Sequence, residues 1–122
     1  MKKKEYVKNN MKIKYNYYNS NLLNYLKTMT YFLSKVSYIK IYAFGNSMEP
    51  KIRDGSIIYL KPYKKDQLKV DDIIFVVQDN YKNYFIHRIV LIDKQFIITK
   101  GDNNPFEDYP VYYSEIKGIM VK

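Results

Sequence analysis

Tyr84-Phe85-Ile86-His87-Arg88-Ile89-Val90-Leu91-Ile92 is followed by Asp93-Lys94, then by Gln95-Phe96-Ile97-Ile98-Thr99-Lys100. Both runs are rich in β-branched and aromatic residues, which fit a pleated surface. The Asp-Lys pair between them reads as a tight turn, so the segment predicts a β-hairpin. Residues 39–44, 56–60, 73–78 and 116–121 repeat the pattern as short β-rich runs, and Asp79-Asn80 reads as the hairpin loop that leads into Tyr84. Six short strands with mostly local connections predict a mainly β fold: a small antiparallel, partly closed β-structure.

The chain ahead of this region reads differently. Leu22, Leu26, Met29, Leu33 and Val36 recur at alternating steps of four and three, which predicts one amphipathic N-terminal helix over residues 20–37. Ser20 suits its N-cap, because a hydroxyl can accept from a free backbone N–H. The apolar face is expected to pack on the sheet. Residues 1–19 are Lys- and Asn-rich without periodicity and read as a basic, flexible leader. A chain of 122 residues, 47% apolar, can bury one modest core, so residues 20–122 are expected to form a single domain.

The net charge of +9 is unevenly spread: residues 1–44 hold nine Lys and one acid, while the remainder holds twelve Lys or Arg against eleven acids. A basic arm of this kind attracts anionic surfaces, so peripheral membrane contact is a possible role for the N-terminus. The absence of a second amphipathic helix argues against a helix-turn-helix and hence against specific nucleic-acid binding. The longest stretch free of charged residues, 15–26, is short and rich in Asn, so no transmembrane helix is predicted, and the expected location is cytoplasmic or peripheral at the membrane. With no Cys and one His, neither a disulfide framework nor a metal centre is expected, and no cofactor motif is present.

Three stretches carry chemistry. In Phe44-Gly45-Asn46-Ser47-Met48-Glu49-Pro50 a strand ends at a Gly, and a Ser then sits on a turn that Pro50 closes. Gly45, without a Cβ, lets another backbone come close, and Ser47 can present its hydroxyl to a peptide alongside. A turn Ser alone is most often only a turn Ser. Ile86-His87-Arg88 lies within a strand whose alternation does not fix the facing of His87. Its imidazole is the side chain suited to take a proton near neutral pH. Thr99-Lys100-Gly101-Asp102-Asn103-Asn104-Pro105-Phe106-Glu107-Asp108 is a loop whose acids can form turns or orient a histidine. Calcium binding would need about six regularly spaced oxygen ligands, a pattern this loop lacks.

Gly45-Asn46-Ser47-Met48-Glu49-Pro50, with Asp54-Gly55 after it, resembles the nucleophile box of the signal peptidase I and repressor-protease superfamily. Val70-Asp71-Asp72-Ile73-Ile74-Phe75 resembles the next box, usually written with Gly-Asp. His87-Arg88-Ile89 matches the box of the general base, and Gly101-Asp102-Asn103-Asn104 with Asp108 matches the acidic box. The four stand in family order and cover residues 44–121. A His at the base position is similar to the endoplasmic-reticulum, archaeal and spore-former type, where most bacterial members and the self-cleaving repressors carry Lys.

The resemblance implies a serine endopeptidase that removes a leader or signal segment from a precursor peptide or protein. It implies Ser47 as nucleophile, His87 as base and Asp108 as the residue that orients the base. Asp102 is implied to hold the loop, Met48 to pack beneath the site, and the Ser47 backbone N–H to support the oxyanion. Gly45 stands where signal peptidases usually carry a second hydroxyl, as it does in the repressor proteases. The substrate is expected to add as an extended strand, with small side chains in shallow pockets. The alternative is a non-catalytic relative that acts as a peptide-binding module. Nothing in the sequence fixes an oligomeric state.

Overall fold

The computed structural model describes residues 17–35 and 37–122; residues 1–16 of the leader and Val36 lie outside the described residues. One helix, α1 (Tyr17–Leu33), precedes seven strands: β1 (Ile39–Tyr42), β2 (Ile57–Lys61), β3 (Ile73–Gln78), β4 (Asn83–Ile92), β5 (Phe96–Lys100), β6 (Val111–Tyr112) and β7 (Ile116–Met120). The strands form a single sheet in the order β1-β2-β7-β3-β4-β5-β6, and every pairing is antiparallel. The fold is mainly β with one N-terminal helix, as the sequence predicts. The sheet is open, with β1 and β6 at its edges.

The six predicted strands form within one or two residues of their expected bounds. β6 is the addition. Two residues carry no periodicity, and Val111–Tyr112 is held by its pairing with β5, Phe96 opposite Tyr112 and Ile97 opposite Val111. The helix differs more. It already includes Tyr17, so Ser20 lies inside it rather than at its cap, and it ends at Leu33 rather than reaching 37. Bonds from Ser34 N–H to Tyr31 O and from Lys35 N–H to Phe32 O tighten its last turn. The chain then pairs as β1, a competing demand for backbone bonds that periodicity alone does not reveal.

β3 is the centre of the molecule. Its residues Ile73 to Val77 are all buried, because apolar residues cover both faces of the sheet there. Ile73, Phe75 and Val77 join Leu26 and Leu33 of α1 on one side, with Ile58 and Leu60 of β2. Ile74 and Val76 join Ile89, Ile97, Val111 and Ile116 on the other. A strand covered on two faces reads as a continuous apolar run rather than an alternating one. The predicted hairpin closes with Asp93 N–H donating to Phe96 O at 2.9 Å and Gln95 N–H to the Asp93 carboxylate at 3.2 Å.

Asp71, at the position that the resemblance associates with Gly, has a φ of +81°. That left-handed conformation suits Gly and is tolerated by Asp better than by branched residues. The turn is secured by the Asp71 N–H bonding to Ile89 O at 2.9 Å. Asp71→Gly is expected to keep stability within about 0.5 kcal/mol of the parent, whereas Asp71→Val loses on the order of 1–2 kcal/mol; denaturant midpoints of the three proteins measure the difference.

Candidate active site

Ser47 sits where the chain leaves β1 and before it re-enters as β2. Gly45 opens this turn with a φ of +94°, and its N–H donates to the Asp54 carboxylate at 2.8 Å. Asp54 thus ties the turn's start to its end, and Met48 O accepts from Ile52 N–H at 2.9 Å within it. Met48 and Ile52 are buried in the α1-side core, which anchors the loop while leaving Ser47 half-exposed.

His87 lies on β4 directly opposite Ile74 of β3. It is buried, and its ring lies 4.5 Å from that of Phe85, centroid to centroid. The register between β4 and β5 sets Ile89 opposite Thr99. Since alternate residues share a face, His87, Ile89 and Thr99 fall on the same side of the sheet. Asp108 returns to this side from the loop after β5, its N–H bonded to Thr99 O at 2.8 Å.

The three side chains meet. Ser47 Oγ is 3.1 Å from His87 Nε2, and His87 Nδ1 is 2.6 Å from Asp108 Oδ2. An ionised carboxylate can only accept, so against one Nδ1 is the donor and Nε2 is the nitrogen turned to the serine hydroxyl. The Thr99 hydroxyl donates to the same Asp108 oxygen at 2.7 Å. Thr99 is fully buried and fixes the carboxylate from below. The sequence places Thr99 in the last strand of the predicted hairpin and at the start of the acidic loop without giving it a role; its buried position in β5 is what gives it this one.

The acidic loop also grips the serine loop. Asn103 N–H donates to Ser47 O at 2.7 Å, and the Asn103 side-chain amide donates to Asn46 O at 3.0 Å. A Cβ on Gly101 would lie 2.8 Å from Ser47 O and 2.6 Å from Asn104 Nδ2, so only Gly fits that approach. Asp102 N–H points at Met48 Sδ, 3.3 Å away. Asp102 does not serve the imidazole directly: Arg88 Nε and Nη2 take its two oxygens at 2.8 and 2.7 Å. Arg88, whose role the sequence left unassigned, reaches Asp71 O as well, at 3.1 Å.

A partly enclosed apolar cavity of about 190 Å³ opens beside this cluster, bounded by Ser47, Gly45, the α1-side core and α1 itself. No group of His, Cys, Asp and Glu among the described residues could hold a metal ion.

Residues 10–121 match the model of a family described as Peptidase S24-like. The chain belongs to the Peptidase S24-like family. The chain is also similar to the signal peptidase complex catalytic subunit SEC11 of several organisms. It is 34% identical to that of Lachancea thermotolerans over 79 residues, covering 59% of this chain and 46% of the relative. It is also 34% identical to that of Candida albicans over 91 residues, covering 70% of this chain and 53% of the relative. The match to the Scheffersomyces stipitis protein is 33% over 87 residues, covering 67% and 51%. The chain thus spans about half the length of the curated relatives it matches. No solved structure matches it. Among the described residues no helix is long and apolar enough to cross a membrane.

Hydrogen bonding from Arg88 holds the Asp102 carboxyl below the usual carboxylate range, against the opposing effect of burial. A carboxyl that titrates lower when folded adds stability above its unfolded value and loses it as pH falls through the folded one. Asp102→Asn is therefore expected to lower stability by about 1 kcal/mol at pH 7. The gap to the parent begins to shrink as pH falls below about 4, where the unfolded chain's carboxyl takes up its proton ahead of the folded one; thermal midpoints of both proteins at pH 7 and pH 3 test this.

Proposed function

We propose that the protein is a serine endopeptidase of the signal peptidase I type, which removes a leader or signal segment from a peptide or protein precursor. The observation that carries this reading is the alignment of Ser47 Oγ, His87 and Asp108 at 3.1 and 2.6 Å. A hydroxyl is a weak nucleophile until a base within hydrogen-bond reach takes its proton, and the imidazole tautomer fixed by Asp108 is the one that can.

Ser47 Oγ attacks the scissile carbonyl carbon as its proton passes to His87 Nε2. The imidazolium is stabilised by Asp108 and then protonates the leaving amine as the C–N bond breaks, leaving an acyl-enzyme. Water, deprotonated by His87, hydrolyses the ester and restores Ser47. The developing oxyanion needs preorganised donors. Among the described residues no acceptor takes the Ser47 N–H, which suits it for that task, and Gly45 supplies no side-chain donor. β1 stands at the sheet edge next to the nucleophile turn, a position suited to a substrate that adds as an extended strand.

The SEC11 relatives are named as catalytic subunits of a signal peptidase complex, which supports a precursor as substrate here. The excess of Lys in residues 1–44 suits a peripheral contact with an anionic membrane surface near that substrate.

Incubation with candidate precursors, followed by mass spectrometry, tests the reading. Ser47→Ala and His87→Ala are each expected to lower kcat by at least about 10³-fold while leaving the thermal midpoint close to the parent's. Asp108→Asn, which donates where it should accept, is expected to lower it by about 10²–10⁴-fold. Parent-like cleavage by Ser47→Ala rules the mechanism out.

A further inference from the structure

His87 is held by both edges of its ring, through Nε2 to Ser47 Oγ and through Nδ1 to Asp108 Oδ2. Neither bond acts on the faces of the ring. One face carries a contact that the mechanism does not use: the Phe85 ring, 4.5 Å away between centroids and tilted by 33°. Phe85 stands two residues before His87 on β4, so the two side chains leave the same face of the sheet. That face is the one turned away from α1, since Phe85 packs on the core formed by Leu68, Ile74, Val76 and Ile89.

The tilt makes this a face contact rather than an edge contact. An aromatic ring carries negative charge on its face, and a cation within about 6 Å of the centroid is attracted to it. Neutral imidazole gains little from that field, whereas imidazolium gains it in full. The imidazolium forms when His87 takes the Ser47 proton and lasts until the leaving amine is protonated. The contact therefore strengthens as the reaction proceeds, which is the condition for raising kcat rather than tightening ground-state binding. Burial sharpens the effect: His87 is 6% exposed, so little water competes with the ring for the positive charge. Phe85 is half-buried and anchored in the core along one side, which holds its face against the imidazole.

We propose that Phe85 is a positioning residue for the reaction: its ring face holds the imidazole between Ser47 and Asp108 and stabilises the imidazolium that turnover creates. The inference rests on the peptidase reading of the site. A cation on an aromatic face is worth about 2- to 30-fold in rate. Phe85→Leu keeps the apolar cover over His87 and removes the π face.

Two measurements test it. The first reads the contact without turnover. His87 is the sole histidine of the chain, so its ring protons give one set of imidazole signals by NMR. In the parent these are expected upfield of their position in Phe85→Leu, because the Phe85 ring current shields protons over its face; matching positions in the two proteins overturn the proposal. The second reads kcat and KM on a cleaved precursor, with residue 85 replaced by mono-, tri- and pentafluorinated phenylalanine, which keep the ring's shape and withdraw charge from its face step by step. The value of kcat is expected to fall at each step, by about 2- to 30-fold across the series, with KM unchanged. Phe85→Tyr retains the face and is expected to retain the parent's kcat, while Phe85→Leu slows. A kcat indifferent to fluorination, or a Phe85→Tyr protein as slow as Phe85→Leu, overturns the proposal and leaves the peptidase reading intact. Upfield imidazole signals with no precursor cut by the parent instead overturn the peptidase reading, and the role of Phe85 in turnover with it. Phe85→Met replaces Phe85→Leu in both measurements if the latter does not fold.

Discussion

One backbone hydrogen bond, from Asn103 N–H to Ser47 O at 2.7 Å, joins the two loops on which the site depends. The Ser47 turn hangs between β1 and β2 near one edge of the sheet, and the acidic loop follows β5 near the other. Strand pairing alone does not bring them together. The contact works because Gly101 has no side chain to hold the loops apart, and because the Asn103 amide adds a second bond to Asn46 O. Once the loops are docked, the imidazole on β4 lies between hydroxyl and carboxylate without needing to move.

The acids of the molecule divide the labour sharply. Asp54 fixes the start of the Ser47 turn through the Gly45 N–H. Asp72 is buried, accepts from Lys69 N–H, and its carbonyl accepts from Ile89 N–H, which pins the entry to β3 against β4. Asp102 spends both oxygens on Arg88. Among the described acids only Asp108 bonds the imidazole, and its second partner is a neutral hydroxyl, that of Thr99. A neutral donor steadies the carboxylate without cancelling the charge that an imidazolium would meet.

Much of this was legible in the sequence, for identifiable reasons. The strands are short runs of residues with a strong β bias between unmistakable turns, and the hairpin of β4 and β5 formed as its composition required. Ser47, His87 and Asp108 were nameable because ordered motifs singled them out; that they converge is a property of loops, and no periodicity encodes it. The facing of His87 was unreadable because both faces of β4 are largely apolar, and the register with Ile74 and Thr99 decided it. β6 escaped notice because two residues make no pattern. The helix bounds shifted because β1 pairing, a long-range contact, competes for the residues after Leu33. Arg88 and Thr99 look like ordinary strand residues until their neighbours are known.

α1 docks on the same side of the sheet as the Ser47 turn and supplies part of the cavity wall through Tyr25, Leu26 and Met29. Any guest filling that cavity touches the helix and the sheet at once. Occupancy and helix docking are therefore thermodynamically linked: each gains whatever free energy it lends the other. A segment that lies outside the strands thereby acquires leverage over the space beside Ser47, since whatever loosens or clamps α1 changes how firmly a guest is held there.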